Sequence, residues 1–250
     1  MKITLSKDAA QLGQRAADLT AALLNDAIAR NGAARLVLST GASQFETLGA
    51  LVKKDVDWSK VEVFHLDEYV DLPITHPASF RKYIKERFAD LVHPKAVYYV
   101  ETEGDLTAAI AAVTDKLREA PVDVALIGIG ENGHIAFNDP PADFDNPNAY
   151  IVVTLDDRCR HQQLGEGWFE TLDQVPKQAV SMTVGEIMKA KSIISSVPHK
   201  VKAEAIRNTL ANDPTPMVPA TILKTHPCWN LFIDENSASL VEPQPEWKTE

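Results

Sequence analysis

The sequence predicts one α/β domain built on a largely parallel, doubly wound sheet. Short apolar runs rich in β-branched residues, such as Val-Asp-Val-Ala-Leu-Ile at 122–127, have the length of strands buried on both faces. Segments with apolar residues at helical spacing alternate with those runs, an order that places helices on both faces of a parallel sheet. No Pro/Gly/Ser-rich linker, low-complexity tract or internal repeat interrupts the 250 residues, so 1–250 are read as a single domain.

The elements follow in order. Leu12, Ala16, Leu19, Leu23 and Ala27 mark a helix over 8–30, and Asn31-Gly32 stops it. Residues 35–39 read as a strand, Thr40-Gly41-Ala42 as a tight loop, and Ser43-Gln44-Phe45-Glu46 as a helix start with a capping box. Alternation continues with a strand at 61–66, a helix near 78–89, a strand at 96–100, a helix at 105–119 and the strand at 122–127. Further strands are expected at 150–154, 191–197 and 228–233, and further helices near 183–190 and 199–210.

Composition narrows the function. With 45% hydrophobic and 24% charged residues the chain can bury a sizeable core. A net charge of -10 argues against nucleic-acid or anionic-membrane partners, while a local basic cluster could still hold one small phosphate. Met1-Lys2-Ile3-Thr4-Leu5-Ser6 lacks the apolar core of a signal peptide, and no segment approaches the ~18 to 20 apolar residues of a membrane span. A cytoplasmic protein is expected. Cys159 and Cys228 form no CxxC spacing and no His/Cys cluster, which disfavours a disulfide framework or structural zinc.

Chemistry concentrates at Gly128-Ile129-Gly130-Glu131-Asn132-Gly133-His134-Ile135-Ala136-Phe137-Asn138-Asp139-Pro140, directly after the 122–127 strand. In open α/β sheets ligands bind at the carboxyl ends of strands, and glycines let backbone N–H groups approach an anion or sugar closely. An imidazole moves protons near neutral pH, and a carboxylate such as Asp139 can orient it. The bland reading of His134 is a surface or capping histidine; its place after a Gly-x-Gly turn favours the functional one. No second histidine sits at ligand spacing, so metal-free acid–base chemistry is expected.

Other segments are weaker alone. Ser39-Thr40-Gly41-Ala42-Ser43 joins a strand to a helix start, where hydroxyls and orphan N–H groups can cradle phosphate, although such turns are commonly structural. Lys200 follows the 191–197 strand and is a second phosphate candidate, its alternative being a solvated lysine. Asp67-Glu68 follows the 61–66 strand. Such a pair can divide labour, one carboxylate acting as base while neighbours hold the other, or it can be a helix cap beside a solvated glutamate.

Together and in this order these segments resemble the glucosamine-6-phosphate deaminase (glucosamine-6-phosphate isomerase) family. The resemblance rests on Ser39–Ser43, on Leu66-Asp67-Glu68-Tyr69-Val70 and on Gly128–Asn138. Val175-Pro176-Lys177-Gln178-Ala179, Pro219-Ala220-Thr221-Ile222-Leu223 and His226-Pro227 extend it, so that it spans roughly residues 35–234. It implies a Rossmann-like fold of the deaminase/6-phosphogluconolactonase type. It also implies conversion of glucosamine 6-phosphate and water into fructose 6-phosphate and ammonia, without metal or cofactor. On that resemblance His134 takes part in ring opening with Asn132 and Asp139 arranging it, and Asp67 shuttles a proton from C2 to C1. Gly130, Gly133 and Ala136 adjoin the sugar, and the phosphate lies against residues 39–43 with Lys200 nearby.

The chain departs from the family pattern in three places. Asp139 stands where glutamate is common. Gly167 precedes Trp168-Phe169 where bacterial deaminases often carry a phosphate-binding arginine, and Arg160 is the expected substitute. Basic residues that bind an activating sugar phosphate in regulated members are replaced around Ile151 and Val153, so no such activation is expected. The alternatives are a deaminase of another amino-sugar phosphate such as galactosamine 6-phosphate, a 6-phosphogluconolactonase-like hydrolase, and a non-catalytic phosphosugar-sensing module. The hydrolase typically has arginine at the position of Tyr69. The sensor would carry a DNA-binding helix-turn-helix, whereas a single helix precedes residue 35. The preferred sugar and the oligomeric state are left open.

Overall fold

The computed structural model describes residues 1–165 and 167–247. Its strands are β1 (Lys2–Ser6), β2 (Ala34–Leu38), β3 (Val61–His65), β4 (Asp67–Tyr69), β5 (Ala96–Tyr98), β6 (Val124–Leu126), β7 (Tyr150–Thr154), β8 (Gln178–Met182), β9 (Ser192–Val197) and β10 (Trp229–Asp234). Seven of them form a parallel sheet in the order β1-β10-β9-β6-β2-β3-β5, and a small antiparallel sheet takes the order β4-β8-β7. The helices are α1 (Ala9–Asn31), α2 (Phe45–Leu51), α3 (Phe80–Ile84), α4 (Asp90–Val92), α5 (Leu106–Arg118), α6 (Asp157–Gly165), α7 (Val184–Ile187) and α8 (Ala203–Ala211), with a π turn joining α3 to α4. Among the described residues no helix is long and apolar enough to cross a membrane.

Alternation along each strand builds two cores. Leu36, Leu38, Val63, Val124, Leu126 and Ile194 face one side with Leu12, Ala16 and Leu24 of α1 and Leu48 of α2. Val37, Phe64, Ala125, Ile193 and Leu231 face the other with Val113 and Leu117 of α5. A sheet covered on both faces needs apolar residues at successive positions, which explains why these strands read as continuous runs. The ends of α1 follow their sequence signals: the Asp8 carboxylate accepts from Gln11 N at its start, and Gly32 at φ +77° returns its N–H to Ile28 O.

Several elements escaped the sequence reading. No element was expected over residues 2–6, yet the backbone of β1 pairs with β10 in register from Lys2 with Asn230 to Ser6 with Asp234. The strand at 150–154 belongs to the antiparallel sheet, whose other members β4 and β8 have no alternating pattern of their own. Ser43 does not cap a helix: residues 42–44 form a 3-10 turn, and α2 begins at Phe45 without a side-chain cap. α6, with the sequence DRCRHQQLG, has no periodic apolar stripe to announce it.

The topology places the site. From β2 the chain steps outward to β3 and β5, then returns to the other side of β2 with β6 and continues to β9 and β10. The order therefore reverses between β2 and β6, and the crevice beyond their carboxyl ends is the expected ligand position in such a sheet.

Candidate active site

A cleft opens at that reversal, walled by residues 39–43 after β2 and by residues 128–137 after β6. Gly41, at φ +96°, turns the chain from β2 into the short helical turn, a conformation costly for any residue with a Cβ. Ser39 N–H donates to Leu126 O at 3.1 Å and ties the two loops together. Ser39, Thr40, Gly41 and Ser43 face the cleft, and the buried Ser39 Oγ has no partner among the described residues. Across from them Lys202 lines the same cleft, in the turn between β9 and α8. The hydroxyl-bearing residues of this loop and Lys202 thus line one cleft, a set suited to an anion.

At the other end stands Asp67. Its strand β4 pairs with β8, Asp67 opposite Ser181 and Glu68 opposite Val180, so the two carboxylates point to opposite faces. Asp67 lines the cleft. Glu68 is buried and accepts from Ser79 Oγ at 2.8 Å, from the N–H groups of Phe80 and Arg81 at 3.1 and 2.8 Å, and from Arg81 Nε at 3.3 Å. It therefore closes the start of α3 and is held by neighbours. Tyr150 Oη donates to His65 O at 2.7 Å, which ties β7 of the small sheet to the end of β3 beside Asp67. Burial, and then the charge of Glu68, push the Asp67 carboxyl up to about 8. The two carboxylates thus sit in different environments: Asp67 lies in the cleft, while Glu68 lies behind it, raised by burial but held by its hydrogen-bond donors.

His134 occupies the remaining wall, and its ring lies on Gly130. A Cβ at Gly130 would meet ring atoms at 2.2 to 2.4 Å, so this glycine is required by close approach. Gly133, at φ +86°, carries the turn, and its carbonyl accepts from Ala220 N at 2.8 Å. His134 Nδ1 lies 2.7 Å from Asn132 Oδ1 and 3.2 Å from Asp139 Oδ1, while Asn132 Nδ2 donates to Asp139 Oδ1 at 3.1 Å. Both partners of Nδ1 are acceptors, which assigns the proton to Nδ1 and leaves Nε2 to exchange protons with a ligand. Burial raises the Asp139 carboxyl, but hydrogen bonds from His134 and Asn132 outweigh it and hold Asp139 below its ordinary value. Asp139 is thus an anion placed to stabilise a charged imidazolium.

Residues 7–229 match the model of the family described as glucosamine-6-phosphate isomerases/6-phosphogluconolactonase. The chain belongs to this family. A glucosamine-6-phosphate deaminase of Lactobacillus delbrueckii subsp. bulgaricus is 33% identical over 243 residues, which cover 97% of this chain and 100% of that protein. The solved structure of a monomeric glucosamine-6-phosphate deaminase superposes with a TM-score of 0.85 at 31% identity, covering 96% of this chain and all of that one. A 6-phosphogluconolactonase from Shewanella baltica has a TM-score of 0.78 at 17% identity, over 94% of this chain and 98% of that one, and shows the shared fold alone.

In this member of the isomerase/lactonase family the cleft gathers Asp67, His134, Ser39, Thr40, Gly41, Ser43, Gly130 and Ala136. Asn132 and Asp139 stand behind His134, while Ala42 and Gly133 shape the turns without lining the cleft. Two expected phosphate ligands lie elsewhere. Lys200 is exposed, because the turn at 200–202 points it outward and carries Lys202 inward. Arg160 spends its guanidinium on Leu172 O at 2.6 Å, Val175 O at 3.4 Å and Asp157 Oδ1 at 3.4 Å, outside the cleft.

Beyond those, α6 supplies Gln162 and Gln163 to the cleft. Gln162 Oε1 accepts from Glu131 N at 3.1 Å, and Gln163 Oε1 accepts from Tyr69 Oη at 2.5 Å, within an aromatic cluster of Tyr69, Phe80 and Phe137. One group among the described residues has metal-ligand chemistry: His134, Asp139 and Cys159, with ligand atoms within 4.8 Å of one another. Burial, followed by the charge of Asp139, pushes the Cys159 thiol far up, so this site keeps a protonated sulfur whose proton a metal would have to displace.

Proposed function

We propose that this protein is a glucosamine-6-phosphate deaminase, converting glucosamine 6-phosphate and water into fructose 6-phosphate and ammonia. The observation that carries the reading is the meeting in one cleft of a basic carboxylate, Asp67, and an oriented imidazole, His134, opposite a hydroxyl-rich loop. The names of the relatives that match most of the chain support the same reaction.

The sugar phosphate sits on Ser39, Thr40, Ser43 and Lys202. His134 Nε2 takes the proton of the C1 hydroxyl and returns it to the ring oxygen, which opens the ring, and Asp139 stabilises the imidazolium between the two transfers. Asp67 then removes the C2 proton to give an enolamine and delivers it to C1. The product is an iminium at C2; water adds there and ammonia leaves. One base serves both carbons because they are adjacent on the same face. A phosphorylated sugar is retained by membranes, which favours a cytoplasmic site of action.

Ammonia release over a panel of hexosamine 6-phosphates tests the reaction, and absence of release from every member of the panel defeats it. The pH profile tests the base. Asp67 titrates near 8, above its ordinary 3.8, so its proton-accepting form grows as pH rises to about 8. The acid limb of kcat/KM should fall in that region, and a limb near the ordinary carboxylate value would reject Asp67 as the base. For the phosphate, Lys202→Ala should lower kcat/KM by about 10- to 100-fold, chiefly through KM, the loss expected for one charged hydrogen bond. Lys200→Ala should leave KM unchanged; the reverse result would restore Lys200 to the site.

A further inference from the structure

Asp139 offers two oxygens, and its neighbours use one. Oδ1 takes both Asn132 Nδ2 and the approach of His134 Nδ1, whereas Oδ2 is buried with no hydrogen-bond partner among the described residues. A buried carboxylate oxygen with no donor is costly. A neighbouring group with a proton to give is the thiol of Cys159, whose Sγ lies within 4.8 Å of an Asp139 carboxylate oxygen and of a His134 ring nitrogen. Cys159 is 1% exposed, and its N–H donates to Asp156 Oδ1 at 2.6 Å, which pins it in the first turn of α6.

We infer that Cys159 is a positioning residue whose thiol donates to Asp139 Oδ2, locking the carboxylate with Oδ1 toward His134. Three features support it. Cys159 belongs to a buried, largely apolar cluster that also contains Leu155, Phe169 and Val175. The acidic groups that act on the thiol are Asp139, Asp156 and Asp67, all of which favour S–H over thiolate, so the donor proton is retained. A weak, polarisable donor also satisfies Oδ2 without withdrawing the charge that the imidazolium needs. On this view α6 contributes to the acid–base machinery from behind as well as to the cleft through Gln162 and Gln163. The role assigned to His134 in turnover underlies the kinetic arm of the test alone.

The test compares Cys159→Ala and Cys159→Ser with the wild type in two measurements. The first follows the Asp139 carboxyl by carbon NMR through a pH titration without substrate. Removing the donor in Cys159→Ala should move that titration upward by about half to one pH unit, the equivalent of one hydrogen bond, and Cys159→Ser should return it toward the wild type. The second is turnover: kcat should fall by about 3- to 10-fold in Cys159→Ala with little change in KM, and most of the loss should be recovered in Cys159→Ser. Should the alanine variant not fold, Cys159→Val keeps the space filled without a donor and takes its place. An unmoved Asp139 titration in the donor-free variant, or a serine variant titrating like it, overturns the inference. If the wild type turns over no amino-sugar phosphate, the deaminase reading fails while the NMR titration still decides the role of Cys159.

Discussion

Asp67→Asn should lower kcat by about 10³- to 10⁴-fold with little change in KM, because general-base catalysis contributes at the upper end of its range where one group serves two proton transfers. Asparagine keeps the shape of the side chain, and the backbone pairing of β4 with β8 does not depend on it. The same change should stabilise the fold, and the sign can be derived. The folded protein holds the Asp67 proton up to about 8 against an ordinary 3.8. Stability that depends on this proton is complete below the lower value and is lost as pH rises through the upper one. Asp67→Asn should therefore melt above the wild type in mildly alkaline solution, and the gap should close on acidification. Ammonia-release kinetics and melting curves across pH measure both effects. Turnover within tenfold of the wild type would end the proton-shuttle assignment while leaving the deaminase reaction standing.

His134→Gln should lower kcat by about 10²-fold, less than Asp67→Asn, since hexose rings also open unassisted in water while a carbon-bound proton does not move without a base. Glutamine can still reach Asn132 and Asp139, so the loop at 130–139 should keep its hydrogen bonds and the variant should fold. A discriminating measurement is the solvent exchange of the proton at C2. In this variant ring opening becomes limiting, so exchange and product formation should slow together. If exchange stayed at the wild-type rate, His134 would act after the proton transfer, and the ring-opening role would be lost.

Much of this site was legible in the chain because its parts are local. The run Gly128–Asp139 contains its own logic: Gly130 makes room for the His134 ring, and Asn132 and Asp139 lie within a few residues of Nδ1. The β2 loop was legible for the same reason. Lys202 and Arg160 were not. The choice between Lys200 and Lys202 depends on the pitch of one turn, and whether Arg160 reaches a ligand depends on the 172–175 loop that accepts its hydrogen bonds. Gln162, Gln163 and Cys159 belong to a helix whose polar sequence has no apolar period, so nothing in it signals which side faces the cleft.

By itself the sequence determined the parallel sheet with its two covered faces, the strand ends from which the chemistry projects, and the glycines that seat His134. Each follows from periodicity or from steric demands over a few residues. Only the tertiary structure decided that Asp67 is the basic carboxylate and Glu68 the satisfied one. That division needs β4 to pair with β8 and α3 to begin against Glu68, contacts made by segments 11 to 114 residues away along the chain. Burial and the neighbouring charge that raise Asp67 exist only once those segments meet.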